Sequence, residues 1–328
     1  MIELGRIPRI LVIRLACAGD VLLTTPALQA LRAAFPEAFI CYLTAVPPGR
    51  DILRNNPAVD ECLLSAKSVF TDISRLRPFD LVLDFFGNQT TQSICLLSGA
   101  RYRVGIGSAI PVGGLQPYNI AAPGISERDD VFTHFISLTR ALGLPDPPTK
   151  PILILDDHER GLARAFLRNH GIGPKDRWVA LQPGRRGAEP TWSRDKFVTL
   201  GDNLRRNLGR PILVFQGPDD RTSIAEEVCG RLGKDAILVS GLPIRHYAAV
   251  LERCALFVAS EGGASHIAAA LGVKSIILFT ASSASYWFPY KSEDGMIALE
   301  EMAGQDLPAE DVVRAAEGLF QRALSIQG

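Results

Sequence analysis

Short β-branched apolar runs alternate along the chain with segments whose apolar residues recur at helical spacing, the sequence form of βα units wound around a parallel sheet. The pattern predicts strands over 9–15, 38–43, 59–64, 80–84 and 101–104, with helices over 20–34, 68–77, 88–97 and 131–142. It then starts again. Strands are expected over 177–182, 211–215, 236–239, 255–259 and 274–279, and helices over 157–169, 194–207, 220–232, 244–253 and 264–271. Between the arrays, Leu144 to Pro151 carries four prolines in eight residues, too many for a helix or central strand. The expected fold is therefore α/β, with two Rossmann-like lobes, 1–150 and 151–308, facing a central cleft. No strand is expected after Pro289, and Ala309 to Leu324 reads as an amphipathic helix. The closing segment 309–328 is expected to return to the N-terminal lobe.

Length agrees with two lobes, because 328 residues exceed what one hydrophobic core ordinarily organises. The 35 basic and 35 acidic side chains cancel, which disfavours a nucleic-acid binder and requires any anionic ligand to be met by a local cluster. The six cysteines have no metal-ligand spacing and mostly lie in apolar runs, as expected of reduced thiols in a cytoplasmic protein. No signal-peptide pattern opens the sequence, and no apolar run approaches a membrane span.

Three stretches carry candidate chemistry. In the first, the strand Ile10 to Arg14 runs through a small-residue turn into Gly19-Asp20-Val-Leu-Leu-Thr24-Thr25-Pro26. Asp20 at the start of a helix has two readings: it caps the helix, or it faces the cleft as a general base. In the second, a strand empties into Pro183-Gly184-Arg185-Arg186, and Trp192-Ser193 precedes the next helix. Backbone N–H groups beside two guanidinium forks suit a diphosphate, whereas Trp192 reads as a packing residue. The third is Glu261-Gly262-Gly263-Ala264-Ser265-His266, where glycines let a ligand approach a helix start that supplies unpaired donors. After another strand, Asp219-Asp220 either meets ribose hydroxyls or begins a helix. Gly105-Ile106-Gly107 lacks the third glycine of a dinucleotide fingerprint, and no metal-ligand cluster is visible.

In this order and spacing, Gly-Asp-Val-Leu-Leu-Thr-Thr-Pro-Ala-Leu, Pro-Gly with Trp-Ser, and Gly-Gly-Ala-Ser-His-Ile-Ala-Ala-Ala-Leu-Gly resemble glycosyltransferase family 9, the ADP-heptose:lipopolysaccharide heptosyltransferases. The resemblance implies a GT-B fold with an acceptor-binding N-terminal lobe and a nucleotide-sugar-binding C-terminal lobe. It also implies an inverting transfer without a metal or other cofactor. Asp20 matches the family's catalytic base, with Gly19, Thr24 and Thr25 on the acceptor side. Glu261, Gly262, Gly263, Ala264, Ser265 and His266 match the loop holding the donor diphosphate, with Gly184, Arg185 and Arg186 beside it. Asp220 falls where an acid binds ribose and Leu242 where an apolar residue meets adenine. The implied partners are a nucleotide-sugar donor and a glycan or glycolipid acceptor, with peripheral contact at the inner membrane face and no nucleic acid.

Two positions depart from the family pattern. Glu261 stands where Asp is usual, and Pro190 where a lysine two residues before the tryptophan is common. Such a lysine would help neutralise the leaving diphosphate, a task left to Arg185 or Arg186. The alternatives are a catalytically weak member that binds nucleotide sugar or a partner transferase, and a sugar-nucleotide epimerase, which would need further cleft acids or bases.

Overall fold

A computed structural model describes residues 8–76, 78–106, 111–122, 126, 128–173, 178–184, 192–217, 220, 222–301 and 306–325. The chain divides into two compact units, Met1–Ile154 and Leu155–Gly328, beside the proline-rich segment.

The first unit contains, in chain order, β1 (Arg9–Arg14), α1 (Ala18–Leu23), α2 (Thr25–Ala34), β2 (Phe39–Thr44), α3 (Pro47–Leu53) and β3 (Glu61–Leu64). It continues with α4 (Val69–Arg75), β4 (Leu81–Asp84), α5 (Gln89–Leu97), β5 (Tyr102–Gly105) and α6 (Val131–Ala141). The strands pair in parallel in the order β3-β2-β1-β4-β5. Ile10, Leu11, Val12 and Ile13 are wholly buried, as a central strand covered by helices on both faces must be. Leu11, Ile13, Leu43, Val82 and Ile94 form one core cluster.

The helix expected over 20–34 is two helices that meet at Thr24. Pro26 has no N–H to offer the carbonyl one turn back, so a continuous helix would strand that oxygen. Thr25 supplies the missing donor, its Oγ1 lying 2.7 Å from Leu22 O. Thr24 Oγ1 likewise donates to Val21 O at 2.7 Å.

The second unit contains α7 (Asp157–Asn169), β6 (Val179–Gln182), α8 (Arg194–Leu208), β7 (Ile212–Phe215), α9 (Ile224–Leu232) and β8 (Ala236–Val239). There follow α10 (Ile244–Leu251), β9 (Leu256–Ser260), α11 (Gly263–Leu271), β10 (Ser275–Phe279), α12 (Ala284–Trp287), β11 (Met296–Glu300) and α13 (Ala309–Ser325). Its parallel order is β11-β10-β9-β6-β7-β8. Against expectation, a strand does follow Pro289: β11 pairs with β10 from Ser275↔Met296 to Phe279↔Glu300. Met296 to Leu299 is an apolar run of four residues, too short for periodicity to mark it as a strand, and it lies half-buried at the sheet edge and ends at Glu300.

The closing helix α13 packs within the second unit, on α8, β9 and β10. Val312, Ala316, Leu319 and Phe320 enter the same core as Trp192 and Phe197. That core gives its apolar stripe a partner, where the sequence suggested a return to the first lobe.

In both units strand order reverses beside the first strand, between β1 and β4 and between β6 and β9. Two loops diverge at such a point, leaving a crevice beyond the carboxyl ends of the strands where ligands of open α/β sheets bind.

Candidate functional site

At the β1/β4 crevice of the first unit lies Asp20. It occupies the first turn of α1 behind Cys17, the N-cap, and the carboxylate is turned to side chains instead of capping the helix. Its Oδ1 accepts from Arg14 Nη2 at 3.1 Å, and its Oδ2 lies 2.8 Å from Cys17 Sγ. The Asp20 side chain keeps 18% of its surface exposed. It is thus partly exposed and hydrogen-bonded through both oxygens to side chains.

Arg14, to which the sequence patterns assigned no role, is the last residue of β1. Its Nη1 donates to Phe85 O at 2.6 Å across the crevice, and its guanidinium lies 5.0 Å from the Phe135 ring centre and 5.4 Å from that of Phe86. Nearby, Asp84 ends β4 fully buried, accepting from Phe86 N, Gly87 N and the Tyr118 hydroxyl. Burial raises its carboxyl above the ordinary value in spite of these bonds. His134, in the first turn of α6, is pushed down by burial and then by the Arg14 charge.

The threonines expected on the acceptor side face inward. Thr24 and Thr25 are wholly buried; Thr24 Oγ1 also pairs with Tyr42 Oη at 2.9 Å, and Thr25 Oγ1 accepts from Ile152 N at 2.8 Å. Both hydroxyls are committed to holding the α1–α2 junction. Gly19 is buried inside α1.

In the second unit, strand order lines up the loops after β10, β9, β6, β7 and β8, and most candidate donor residues lie on them. Gly184 follows β6 and lies against Asp220 from the loop after β7: a Cβ on Gly184 would be 2.1 Å from Asp220 Oδ2. Asp220 is 8% exposed. Its Oδ1 accepts from Thr222 N at 2.8 Å and Thr222 Oγ1 at 2.6 Å, while Oδ2 is buried with no hydrogen-bond partner among the described residues. An unsatisfied buried carboxylate oxygen at a strand's carboxyl end calls for a donor from outside. Behind it, Tyr247 Oη donates to Gln182 Oε1, whose amide lies 3.5 Å from Gly184 O. Leu242 is half-buried after β8.

Across the β6/β9 switch, Ser260 Oγ donates to Pro183 O at 2.9 Å and ties the two loops together. Gly262 has φ +146°, open to glycine, and a Cβ there would meet only empty space. The backbone at the start of α11 is therefore approachable, with first-turn N–H groups that the helix cannot satisfy. Ser265 Oγ turns back to Gly262 O at 2.7 Å. His266, 5% exposed, places Nδ1 2.7 Å from Tyr290 Oη.

Glu261 braces a neighbouring loop. Its carboxylate accepts from Ala281 N at 3.0 Å and from Ser282 Oγ, so it ties down the loop after β10. Trp192 is a core residue, as read: its indole donates to Leu307 O at 2.9 Å and packs edge-on to Phe197. Arg185, Arg186 and Pro190 lie outside the described residues.

Residues 76–316 match the sequence model of glycosyltransferase family 9 (heptosyltransferase). The chain belongs to that family. This family 9 glycosyltransferase is 25% identical to lipopolysaccharide heptosyltransferase 3 of Escherichia coli strain K12, over 92% of this chain and 95% of the relative. A glycosyltransferase family 9 structure from Veillonella parvula superposes with a TM-score of 0.84 at 24% identity, covering 98% of this chain and 99% of that one. The E. coli ADP-heptose lipopolysaccharide heptosyltransferase II gives 0.78 at 18% identity, covering 96% and 99%. Those two likenesses establish a shared GT-B fold. Among the described residues of this glycosyltransferase, no helix is long and apolar enough to cross a membrane.

Proposed function

We propose that this glycosyltransferase moves a heptose, or a related sugar, from ADP-heptose or a similar nucleotide sugar to a lipopolysaccharide core or other glycan. The observation that carries the donor side is Asp220 Oδ2 beside Gly184, buried without a hydrogen-bond partner among the described residues and suited to accept from a ribose hydroxyl. Leu242 on the adjacent loop offers the base an apolar contact, and the open backbone at Gly262 offers α11 to the diphosphate. On the acceptor side, Asp20 takes the proton of a sugar hydroxyl. That oxygen forms a bond to the anomeric carbon as the bond to the diphosphate breaks, and a single displacement inverts the centre. In this reading Arg185, Arg186 and the α11 start meet the charge on the leaving group, no metal takes part, and a glycolipid acceptor brings the protein to the inner membrane face.

The test is a thermal-shift comparison of ADP, GDP and UDP with their sugars, because a ligand of the native state raises stability by about 4 kcal/mol at a thousandfold its Kd. ADP compounds should give the largest shift and turnover should survive a chelator. A preference for UDP would overturn the nucleotide assignment. The second reading, a family member that binds without efficient transfer, is favoured by the commitment of Glu261 to the Ala281–Ser282 loop. A donor shift without product on heptose-deficient lipopolysaccharide would select it.

A further inference from the structure

We infer that Arg14 is the positioning residue for the acceptor-side chemistry: it holds Asp20 by one carboxylate oxygen so that the other is presented to the acceptor hydroxyl. This rests on the reading of Asp20 as the base. A carboxylate in the first turn of a short helix can turn about its last side-chain bond and offer either oxygen in a range of directions. Proton transfer needs one oxygen within hydrogen-bond reach along one direction. Something rigid must choose it.

Arg14 has the required rigidity. Its side chain is only 11% exposed and is held from two sides, by the Phe85 carbonyl at 2.6 Å and by the rings of Phe86 and Phe135. Its Nε is buried without a hydrogen-bond partner among the described residues. The guanidinium thus forgoes one bond in a pose that serves Phe85 and Asp20 together. The planar fork can reach two acceptors in fixed directions, which a lysine ammonium on its flexible stem cannot reproduce. With Oδ1 taken by Arg14, Oδ2 is the oxygen left, and it lies 2.8 Å from the Cys17 thiol. A thiol is a weak donor that a substrate hydroxyl can displace. The same contacts would serve a purely structural ion pair, so the distinction lies in what the pair does to turnover.

The experiment is a double-mutant cycle on kcat with Arg14→Lys, Arg14→Gln, Asp20→Asn and the Arg14→Lys/Asp20→Asn double variant. It uses full-length protein, ADP-heptose and heptose-deficient lipopolysaccharide, with ADP affinity and Tm measured alongside. Arg14→Lys should lower kcat by about tenfold or more with acceptor KM and ADP affinity unchanged, since a misplacement of about 1 Å can cost 10²-fold. Arg14→Gln should lose more; if it fails to fold, the lysine variant decides. In the double variant kcat should fall no further than in Asp20→Asn alone, because an aim is worthless without the base. Independent, multiplicative losses, or wild-type kcat in Arg14→Lys, would overturn the positioning role while leaving a deficient Asp20→Asn to support the base. Wild-type turnover in Asp20→Asn would instead overturn the base itself.

Discussion

Gly184 and Asp220 interlock: the place a Cβ would take on Gly184 is 2.1 Å from Asp220 Oδ2 and 3.1 Å from Asp220 Cγ. Glycine is needed here for space, since the position carries no left-handed φ. Gly184→Ala must push the Asp220 carboxylate away or move the loop after β6, an overpacking that costs about 1–3 kcal/mol. The expected outcome is a lower Tm together with at least tenfold weaker ADP binding by calorimetry. Wild-type ADP affinity in a folded Gly184→Ala protein would remove this pair from the nucleotide site.

Asp220→Asn should separate binding from stability. The asparagine oxygen can still accept from Thr222 N and Oγ1, and the substitution removes a charge whose second oxygen has no partner among the described residues. Without ligand, Tm should therefore hold or rise. With ADP, the lost charged acceptor should weaken affinity about tenfold or more, about 1.4 kcal/mol. Reduced apo Tm with unchanged affinity would mark Asp220 as a structural brace.

What the sequence made legible, and what it hid, follows the range of the interactions. Strands such as Ile10 to Ile13 are contiguous apolar runs, and the crevices follow from their order, so Asp20, Gly184 and Gly262 could be placed at strand ends. The structural task of Thr24 and Thr25 has its sequence signal in Pro26, whose missing N–H makes a nearby hydroxyl donor useful. The role of Arg14 depends on Phe85, 71 residues away, and only the fold brings them together. β11 hid because its apolar run, Met296 to Leu299, is too short for periodicity to tell a strand from a helix.

Asp84→Asn should flatten the dependence of stability on pH. Burial raises the carboxyl of Asp84 in the folded protein above its ordinary 3.8, so from about that pH upward the native state keeps a proton the unfolded chain has lost. Stability from this group is present below the ordinary carboxylate value and is lost as pH rises through the native one. Asparagine mimics the protonated form: its oxygen can accept from Phe86 N and Gly87 N, and its amide can donate to Tyr118 Oη. From about pH 4 upward the wild-type Tm should lose ground against the variant. A Tm difference that stays constant over this range would show that Asp84 does not titrate as described.

Glu261→Gln asks whether the departure from the family's usual aspartate lies in the ligand site or in the scaffold beside it. The carboxylate is 4% exposed as part of its residue and is bound by Ala281 N and Ser282 Oγ. Glutamine preserves one oxygen for Ala281 N, and its amide nitrogen can donate to Ser282 Oγ, so a charge-assisted bond gives way to a neutral one of reversed direction. Exchanging a charge-assisted bond for a neutral one costs about 1 kcal/mol, so Tm should fall modestly. Because Glu261 acts on the loop after β10, ADP affinity should change by no more than about threefold, under about 0.7 kcal/mol. Loosening of that loop should appear as faster amide exchange at Ala281 and its neighbours, with the start of α11 still protected on ADP binding. A fall in ADP affinity of a hundredfold with unchanged Tm would place the carboxylate on the ligand, and the contacts to Ala281 and Ser282 would then belong only to the ligand-free state.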